Sequence, residues 1–336
     1  MTASEARHLQ SRPARPCWVL ALVVCLTNMS CWALAAPAAA QEFAASDWEP
    51  LEPAKSIDAA GPLDVIWQSI VGSGQQRPWT PLPIDTLLTE GWDEPWLSPP
   101  SGSGGAPRQG WVNAADGHFN RNFILDYVTT KHVVDGQDGQ LGVFQFQSPL
   151  SRRLWISVDV PLVSILQTAD GVPGKTSFGD LNLFPKVMLH ETQDLSISAG
   201  LGVRFGTGDL ATGSGQTRIF PQWQLWRDIG GGFVARGGLG VDVATNETMP
   251  PSALVSQAAL GRFITPHNAA PLGDLAWSLA FVMRNNLGDP HTFVSLTPGI
   301  RTHLGHNIFF LAGYEIPLAG PLPFDDRLTF VLIQVF

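Results

Sequence analysis

The glycine-rich stretch at residues 200–216, GLGVRFGTGDLATGSGQ, is the first place in this sequence to look for chemistry. Such a loop can cradle phosphate when its backbone amides open a helix. Here residues 217–226 alternate apolar and polar side chains, as a strand does, and no Gly-Lys-Ser/Thr follows. We therefore expect no nucleotide site. The glycines up to Phe205 are expected in a strand and the later ones in a hairpin loop.

The histidines are the second place to look. A hydrolase built on a strand can place a serine two residues from its histidine, but HTF at His291 lacks that serine. His303 and His306 have the spacing of a metal-binding pair, yet no third ligand lies nearby in the sequence. We expect solvated turn histidines, and no catalytic residue, metal site or cofactor.

The N-terminus has the pattern of an exported protein. A basic region precedes the almost wholly apolar run Cys17–Ala36, and Ala38-Ala39-Ala40 offers a small-residue cleavage site before Gln41. This pattern predicts a signal peptide over residues 1–40, with an uncleaved membrane anchor as the alternative. All 3 cysteines lie within it, so the exported chain is expected to have no disulfide and no thiolate.

Residues 41–117 form a leader rich in proline, tryptophan and acidic residues, which carries most of the net charge of −9. Short helices are expected around Asp64–Val71 and Ile84–Glu90, and residues 100–110 (PSGSGGAPRQG) are expected to be a flexible linker. Disordered chains are usually poor in aromatic residues. Two interpretations stay open: a weakly ordered periplasmic leader, or a segment that docks inside the following domain or onto an envelope partner.

From about residue 118 the sequence changes to short runs of alternating apolar and polar residues. Between Leu195 and Phe205, every second residue is apolar and those between are small or polar. A period of two places successive side chains on opposite faces of a strand. The runs that begin at Asp180, Phe233 and Leu275 repeat the pattern. Residues 118–336 are therefore predicted to be all-β.

Strands of this kind occur in soluble sandwiches and in membrane barrels, and three features favour the barrel. The apolar faces are uniformly lipophilic, and the strands have the roughly nine to eleven residues of a tilted spanning strand. The chain also ends RLTFVLIQVF, and a terminal aromatic such as Phe336 resembles the assembly signal of bacterial outer-membrane barrels, although Gln334 departs from the strict pattern. The prediction is a closed antiparallel transmembrane β-barrel, with outer-membrane lipid and the barrel-assembly machinery as partners.

Turn signals predict about twelve strands, with ten or fourteen as alternatives. The predicted starts are Asn122, Gly142, Arg153, Gly179, Asp194, Thr217, Gly232, Ala253, Gly273, Thr292, Asn307 and Arg327. Short connections alternate with longer ones, and the first longer connection is at Lys131–Gln140. Barrels whose two termini are periplasmic show this alternation of short periplasmic turns and longer external loops. The fourth external loop, at Thr245–Pro251, is the least defined. Prolines inside strands, expected at bulges or strand ends, are Pro161, Pro185, Pro221 and Pro298.

Face assignment places charged side chains inside the barrel. They are Asp126, Arg153, Asp159, Asp180, Arg204, Arg218, Arg236, Asp242, Arg284, Arg301 and Glu315, beside the aromatic residues Trp155, Phe184, Phe220, Trp226 and Phe309. One interpretation is a set of cross-strand ion pairs that fill and stiffen a narrow barrel. The other is a pore lining that selects solutes. This mixed lining suits small amphiphilic or aromatic molecules better than bulk ions, in a barrel narrower than the large porins.

Two consecutive segments carry a family resemblance: FGDLNLFPKVMLHE at 178–191 and LSISAGLGVRFGTGDLATGSGQT at 195–217. They resemble the outer-membrane transporter family named for the meta-pathway of phenol degradation, in which Gly-Asp opens a strand and Pro-Thr-Gly-Asp and Gly-Ser-Gly follow. The matching residues are Gly179, Asp180, Thr207, Gly208, Asp209, Gly213, Ser214 and Gly215, with Gly206 in place of the family's proline. The resemblance is best over residues 178–243 and does not cover the leader. It implies passage of hydrophobic or aromatic compounds across the outer membrane.

Three functions follow as hypotheses. The first is a passive outer-membrane channel for small hydrophobic or aromatic molecules. The alternative is a structural or scaffolding barrel whose lumen is closed by ion pairs and whose leader binds a periplasmic partner. A lipid-modifying enzyme ranks last, because the sequence lacks the His–Ser pair of the twelve-stranded outer-membrane phospholipases. No nucleic-acid partner is expected.

Overall fold

The structure of the protein is a computed structural model. It describes residues 61–72, 78–133, 137–167, 176–208, 216–245, 252–269, 271–288, 292–321 and 323–336. The predicted signal peptide lies outside the described residues. Within that described part of the chain, no helix is both long enough and apolar enough to cross a membrane.

Two short helical elements precede the strands, at the two places where the sequence predicts helices. They are helix α1 (Pro62–Val71) and a 3-10 turn (Ile84–Thr86). The strands are β1 (Asn122–Val133), β2 (Gln137–Pro149), β3 (Leu154–Gln167), β4 (Thr176–Ser177), β5 (Asn182–Glu191), β6 (Leu195–Arg204), β7 (Arg218–Gly230), β8 (Phe233–Ala244), β9 (Ala253–Phe263), β10 (Gly273–Asn286), β11 (Thr292–Gly305), β12 (Ile308–Ala319) and β13 (Asp326–Val335).

The strands close into one antiparallel barrel. From β5 to β13 each strand pairs with the next, β1 pairs with β2, and β2 with β3. Strands β4 and β5 both pair with β3 and lie one after the other along it, so they form one stave. The ladder between β1 and β13 runs from Asn122–Val335 to Lys131–Asp326 and closes the sheet. The predicted closed barrel of twelve strands is confirmed, and among the described residues each stave, with β4 and β5 counted as one, has a partner on both sides.

The connections alternate between the two ends of the barrel. We call the end that holds Asn122 and Phe336 the terminal end, and the other the opposite end. The connection between β1 and β2 lies within the predicted loop at Lys131–Gln140 but is shorter, because β1 continues to Val133 and β2 begins at Gln137 rather than Gly142. Glycine keeps its backbone N–H and C=O, so Gly139 and Gly142 pair within the β1–β2 ladder. The predicted strand start at Gly179 is displaced to Asn182.

The four strand prolines sit where pairing is interrupted. Beside Pro161, the β2–β3 ladder shifts register between Gly142 and Val143. Each of the other three prolines is left without a partner in one ladder. These are Pro185 in the β5–β6 ladder, Pro221 in the β7–β8 ladder and Pro298 in the β11–β12 ladder. Because proline has no N–H to donate, a gap in one ladder is where it disturbs the sheet least.

Large apolar side chains cover the outside of the barrel. The exposed ones include Phe123, Leu125, Tyr127, Leu201, Trp223, Leu239, Phe281, Ile300, Tyr314, Phe330 and Leu332. They alternate with buried neighbours: Leu332 is 45% exposed, between Val331 at 8% and Ile333 at 4%. A soluble protein rarely exposes so continuous an apolar surface, whereas a barrel in lipid requires one.

Candidate functional site: the lumen and the segment inside it

Residues 100–121, which we call the inserted segment, lie inside the barrel. Four of its apolar residues, Ala106, Trp111, Val112 and Phe119, belong to three buried clusters with the wall. The wall residues of these clusters are Ile124, Trp155, Met188, Trp226, Val234, Ala259, Ala280, Phe309, Leu311, Val331 and Ile333. They come from strands on all sides of the barrel, so the segment crosses the lumen.

The start of the inserted segment approaches the wall at positions where only glycine fits. A β-carbon on Gly102 would lie 2.1 Å from Asp228 Oδ2, and one on Gly104 would lie 2.5 Å from Gly230 Cα. The Asp228 carboxylate accepts hydrogen bonds from the amides of Gly104 at 3.0 Å and Ala106 at 3.2 Å. The prediction of a flexible linker over residues 100–110 is therefore wrong, because these glycines permit close contact rather than motion.

The segment turns back near the middle of the barrel. Asn113 has a φ of 55°, in the left-handed region that asparagine tolerates. Its side-chain amide donates to Thr297 Oγ1 of β11 at 2.9 Å. On β12, a β-carbon on Gly313 would lie 2.7 Å from Val112 Cγ1. A missing side chain on the wall thus makes room for the turn.

Arg236 of β8 holds both arms of the inserted segment. Its guanidinium forms an ion pair with Asp116, on the arm after the turn, and donates to the backbone oxygen of Gln109, on the arm before it. It also lies 4.2 Å from the centroid of the Trp111 ring. A planar cation with several donors can bind both arms and stack on an aromatic ring at once.

Lys186 of β5 holds the second arm from another side. Its ammonium group donates to the backbone oxygen of Asp116 at 3.0 Å and lies 3.8 Å from the Trp155 ring centroid. Trp155 Nε1 donates to the backbone oxygen of Asn120 at 2.9 Å. Strand alternation places Lys186 on the same face as Asn182, so the sequence contains the signal for this lumen cation, although it is not among the predicted lining residues.

Arg301 of β11 binds the first arm through Gln109. It donates to Gln109 Oε1 at 2.5 Å and to the backbone oxygen of Gly110 at 3.0 Å. Gln109 Nε2 in turn donates to Asp274 at 3.0 Å, and His267 Nδ1 lies 2.7 Å from the same carboxylate. His303, predicted to lie in a solvated turn, instead lies in β11, half-buried.

The described residues contain no cluster of three or more His, Cys, Asp or Glu side chains that could hold a metal ion. Two of the histidines at the terminal end, His267 and His303, stack with ring centroids 4.3 Å apart.

Two arginines at the terminal end, Arg108 of the leader and Arg153 of the barrel, connect the leader to the barrel through backbone oxygens. Arg108 donates to the oxygens of Pro100 at 2.8 Å and Gln193 at 3.1 Å, and stacks 4.7 Å from the Trp226 ring centroid. Burial lowers its pKa, and Glu191, Asp194 and Asp228 oppose that shift.

Arg153 lies in the turn before β3 and is fully buried. It donates to the oxygens of Pro83 at 2.9 Å, Glu90 at 3.0 Å and Met188 at 2.9 Å. Burial, followed by the nearby charge of Arg152, lowers the pKa of Arg153. This side chain ties the 3-10 region of the leader to the barrel rim.

His118 is buried in the inserted segment without a hydrogen-bond partner for either ring nitrogen among the described residues. Burial lowers its pKa well below 6.5, and the positive charges of Arg236, Lys186, Arg108 and Arg301 lower it further. The ring packs edge-on to Trp226 at a centroid distance of 6.1 Å. His118 is therefore neutral in the inserted state.

Beside the inserted segment, the lumen holds two cavities, which we call the vestibule. One, of about 470 Å³, has an apolar wall on β1, β12 and β13, formed by Ile124, Val128, Leu311, Val331 and Ile333. The other, of about 410 Å³, has a polar wall formed by Gln145, Gln147, Ser157, Asp159, Gln222, Gln224 and Gln257. Ala114 and Asp116 of the inserted segment line both cavities, the first of which also reaches Gly110 and the second Asn120. The vestibule is thus two-sided, apolar on one wall and rich in amides on the other.

A third cavity, of about 300 Å³, lies on the terminal side. Its lining includes Arg108, Gln109, Arg121 and Asn307. The inserted segment lies between this cavity and the vestibule.

The remaining predicted lumen charges pair with one another or with polar neighbours. Asp242 contacts Arg218 at 2.6 Å and Arg284 at 2.7 Å. Glu315 contacts Arg327 at 3.1 Å. Further hydrogen bonds join Arg204 to Asn182, Ser157 to Asp159 and Gln145 to Asp126. Arg327 is absent from the predicted lining residues, although alternation from the outward-facing Phe330 places it on the inward face of β13.

The residues that carry the family resemblance join the ends of β5 and β6. Asp180 accepts a hydrogen bond from the amide of Gly208 at 3.0 Å, and Thr207 Oγ1 accepts one from the amide of Leu181 at 2.9 Å. The amide of Gly179 donates to Pro161 at 3.3 Å. The other four motif residues, Asp209, Gly213, Ser214 and Gly215, lie outside the described residues. Phe336 stacks on Phe123 at a centroid distance of 4.7 Å.

Three polar residues of the inserted segment that meet the wall, Gln109, Asp116 and His118, are absent from the sequence predictions. Their signal is weak: three polar side chains among small and aromatic residues, with no periodicity to assign them a face. Composition alone leaves the position of such a segment open.

No protein-family model matches this chain, and no curated protein matches it in sequence. Among solved structures, the chain is similar to the COG4313 outer membrane channel from Pseudomonas putida F1, with a TM-score of 0.51 and 13% identity over 68% of this chain and 99% of that one. It is more distantly similar to the KdgM porin, with a TM-score of 0.45 and 9% identity over 63% of this chain and 99% of that one. At these identities the likeness concerns the fold alone. The chain therefore has the fold of a twelve-strand β-barrel of the outer-membrane type.

Proposed function

We propose that this protein is a passive outer-membrane channel for small amphiphilic or aromatic molecules, closed on its periplasmic side by the inserted segment. The observation that carries the proposal is the vestibule, whose two cavities the inserted segment lines. A closed barrel of twelve strands is wide enough for a small-molecule path once the segment moves aside.

The two walls of the vestibule support the solute class. Val331 and Ile333 stand on the apolar wall, and Gln145 and Gln222 on the amide wall. A molecule with an apolar ring and a few hydroxyl groups can satisfy both walls at once. A bare hydrocarbon would leave the amides desolvated and unpaired, which costs free energy.

Several finer assignments rest on the sequence. Residues 1–40 act as a signal peptide, the terminal end faces the periplasm, and Phe336 is read by the barrel-assembly machinery. The similarity of residues 178–243 to the phenol meta-pathway transporters supports aromatic solutes. In this proposal the leader, residues 41–117, works as a plug rather than as a loose tail.

The test is uptake into liposomes by the full chain with its three native cysteines replaced by serine. The probe is an aryl glucoside that does not cross lipid unaided, reported by an enclosed glucosidase. Asn113→Cys with Thr297→Cys locks the segment, since these side chains already meet at 2.9 Å. We expect uptake by the reduced double variant and its loss on oxidation.

Asn113→Cys alone is the matched control, and its uptake should not depend on oxidation. Equal uptake by the locked and reduced double variants would show that solute does not pass where the segment lies. No uptake by any variant, including one without residues 41–117, would exclude a channel and favour the scaffolding barrel.

A further inference from the structure

Helix α1 carries its large apolar side chains on the face that points away from the protein. Leu63, Trp67 and Val71 lie four residues apart on one stripe and are 80%, 66% and 55% exposed. The opposite face holds Val65 and Ser69, which are 2% and 0% exposed. A surface helix in water normally has the reverse arrangement, with the apolar stripe toward the core.

The helix lies at the terminal end of the barrel, beside β2 and Arg121. It packs against β2, and the backbone oxygen of Ile70 accepts a hydrogen bond from Arg121 at 3.4 Å. The Arg121 guanidinium lies 6.0 Å from the ring centroid of Phe336, which stacks on Phe123 at 4.7 Å. Through these contacts α1 adjoins the outer aromatic residues of the terminal end.

Those aromatic residues mark a level in the membrane. Phe123 and Phe146 have ring centroids 5.5 Å apart, and Phe146 lies 6.3 Å from Phe336. Phe123 is 41% exposed on the outward face of β1, near its first residue. Aromatic girdles of membrane barrels lie at the boundary between headgroups and acyl chains. A helix that adjoins this cluster lies at the same boundary.

The charge of the helix decides which lipid contact it can make. The sequence PLDVIWQSIV contains one acidic residue, Asp64, and no basic residue. It offers no attraction for anionic headgroups, on which many interfacial helices depend. It offers apolar area and an indole, whose apolar ring and polar N–H suit the interface.

We propose that α1 is an interfacial helix whose Leu63, Trp67 and Val71 side chains lie in the membrane leaflet at the terminal end of the barrel. The proposal rests on the barrel lying in a membrane and adds a lipid contact outside the barrel wall. The occupant of the exposed stripe is lipid, held by apolar burial rather than charge. The leader is thereby fixed to the membrane at α1 and to the lumen at the inserted segment.

The test uses the full chain in phosphatidylcholine liposomes, with the three native cysteines replaced by serine and one nitroxide-labelled cysteine. The label stands at Trp67→Cys, with Leu332→Cys as the lipid reference and Asn268→Cys in an exposed turn as the water reference. We expect the nitroxide at position 67 to be accessible to oxygen, which dissolves in lipid, and inaccessible to a water-soluble nickel chelate. The nitroxide at position 332 should show the same accessibilities. This result should be the same at low and high salt.

A matched variant adds Leu63→Glu to the chain labelled at 67, since a charge on the stripe opposes insertion. We expect the label at 67 to regain contact with the chelate while a label at 332 stays in lipid. The proposal is overturned if the label at 67 behaves as the one at 268 in the parent chain, because the stripe is then free for a protein. If the label at 332 also meets water, the membrane barrel itself is overturned, and this proposal with it.

Discussion

Arg236 and Asp116 form an ion pair across 120 residues of sequence, between the wall of the barrel and the segment inside it. The Arg236 side chain is fully buried, whereas the Asp116 side chain is 31% exposed. Loss of one partner leaves the other charge desolvated, which costs about 3 kcal/mol or more for a buried pair. Closure of the lumen therefore depends on a contact that a single substitution can break.

Asp116→Asn should weaken the inserted state by about 2–3 kcal/mol, because the fully buried Arg236 loses its counter-charge while the asparagine oxygen can still accept its hydrogen bond. The measure is maleimide labelling of Ala106→Cys, a fully buried position that reagent reaches only when the segment leaves the wall. The labelling rate and the uptake of the aryl glucoside should rise together. Asp93→Asn, the same change at an exposed leader residue, should alter neither. An unchanged labelling rate in Asp116→Asn would mean that the pair does not hold the segment.

Gly104→Ala should release the start of the inserted segment, because its β-carbon would lie 2.5 Å from Gly230 Cα and 2.4 Å from Asp228 Oδ1. Overpacking of this kind costs about 1–3 kcal/mol. Limited proteolysis should cut residues 100–110 faster in this variant. The control is Gly237→Ala, whose β-carbon meets nothing closer than 3.9 Å. Equal proteolysis of the two variants would show that the close approach is not required.

The barrel could be predicted from the sequence because a strand repeats every two residues and twelve strands repeat the same signal. The face of Arg236 or Arg301 follows from that alternation. Even the gaps beside Pro185 and Pro298 follow from the missing N–H.

The inserted segment could not be placed in the same way. Residues 100–110 have the composition of a linker, and glycine is used both where a chain bends freely and where two backbones nearly touch. Only the position of Asp228 on β7 distinguishes these uses at Gly102 and Gly104. Asp116 finds its partner through tertiary packing, and no local pattern encodes that contact.

Acidification should loosen the inserted segment through His118. Burial and four neighbouring cations lower its pKa well below 6.5, so the released segment binds a proton that the inserted one does not. The inserted state is then fully favoured above about pH 6.5 and loses stability as the pH falls toward the lowered pKa. Because maleimide reacts with the thiolate, whose fraction falls with pH, the labelling rate of Ala106→Cys is divided at each pH by that of an exposed Asn268→Cys. This ratio should rise below pH 6.5, and His118→Gln should flatten the rise. The control is His306→Gln, in an exposed turn, which should not change how the labelling ratio of Ala106→Cys depends on pH. If this ratio does not change below pH 6.5 in the parent chain, His118 does not control release of the inserted segment.

Arg153→Lys should detach the 3-10 region of the leader from the rim while the barrel stays folded. An ammonium group cannot reproduce donors aimed at Pro83, Glu90 and Met188 together. The expected cost is about 2–4 kcal/mol, confined to the leader. Hydrogen exchange should speed up at residues 82–94 and stay slow in the strands. The control is Arg227→Lys, at an exposed position of β7. If hydrogen exchange at residues 82–94 is the same in both variants, the several guanidinium donors of Arg153 are not needed to hold the leader.

Asp242→Asn should make the open channel prefer anions. The Asp242 carboxylate contacts Arg218 at 2.6 Å and Arg284 at 2.7 Å, so its loss adds one net positive charge to the lumen wall. Charge on a narrow pore wall attracts counter-ions to the path. The measurement is the reversal potential of planar bilayers under a potassium chloride gradient, in the Asp116→Asn background that favours the open state. The control with the same change of charge is Asp138→Asn, which lies at the start of β2, at the opposite end of the barrel and outside this cluster. If the reversal potential shifts toward anions in Asp242→Asn but not in Asp138→Asn, the conducting path runs along the Arg218–Asp242–Arg284 cluster. Equal reversal potentials for the two variants would mean that ions pass elsewhere.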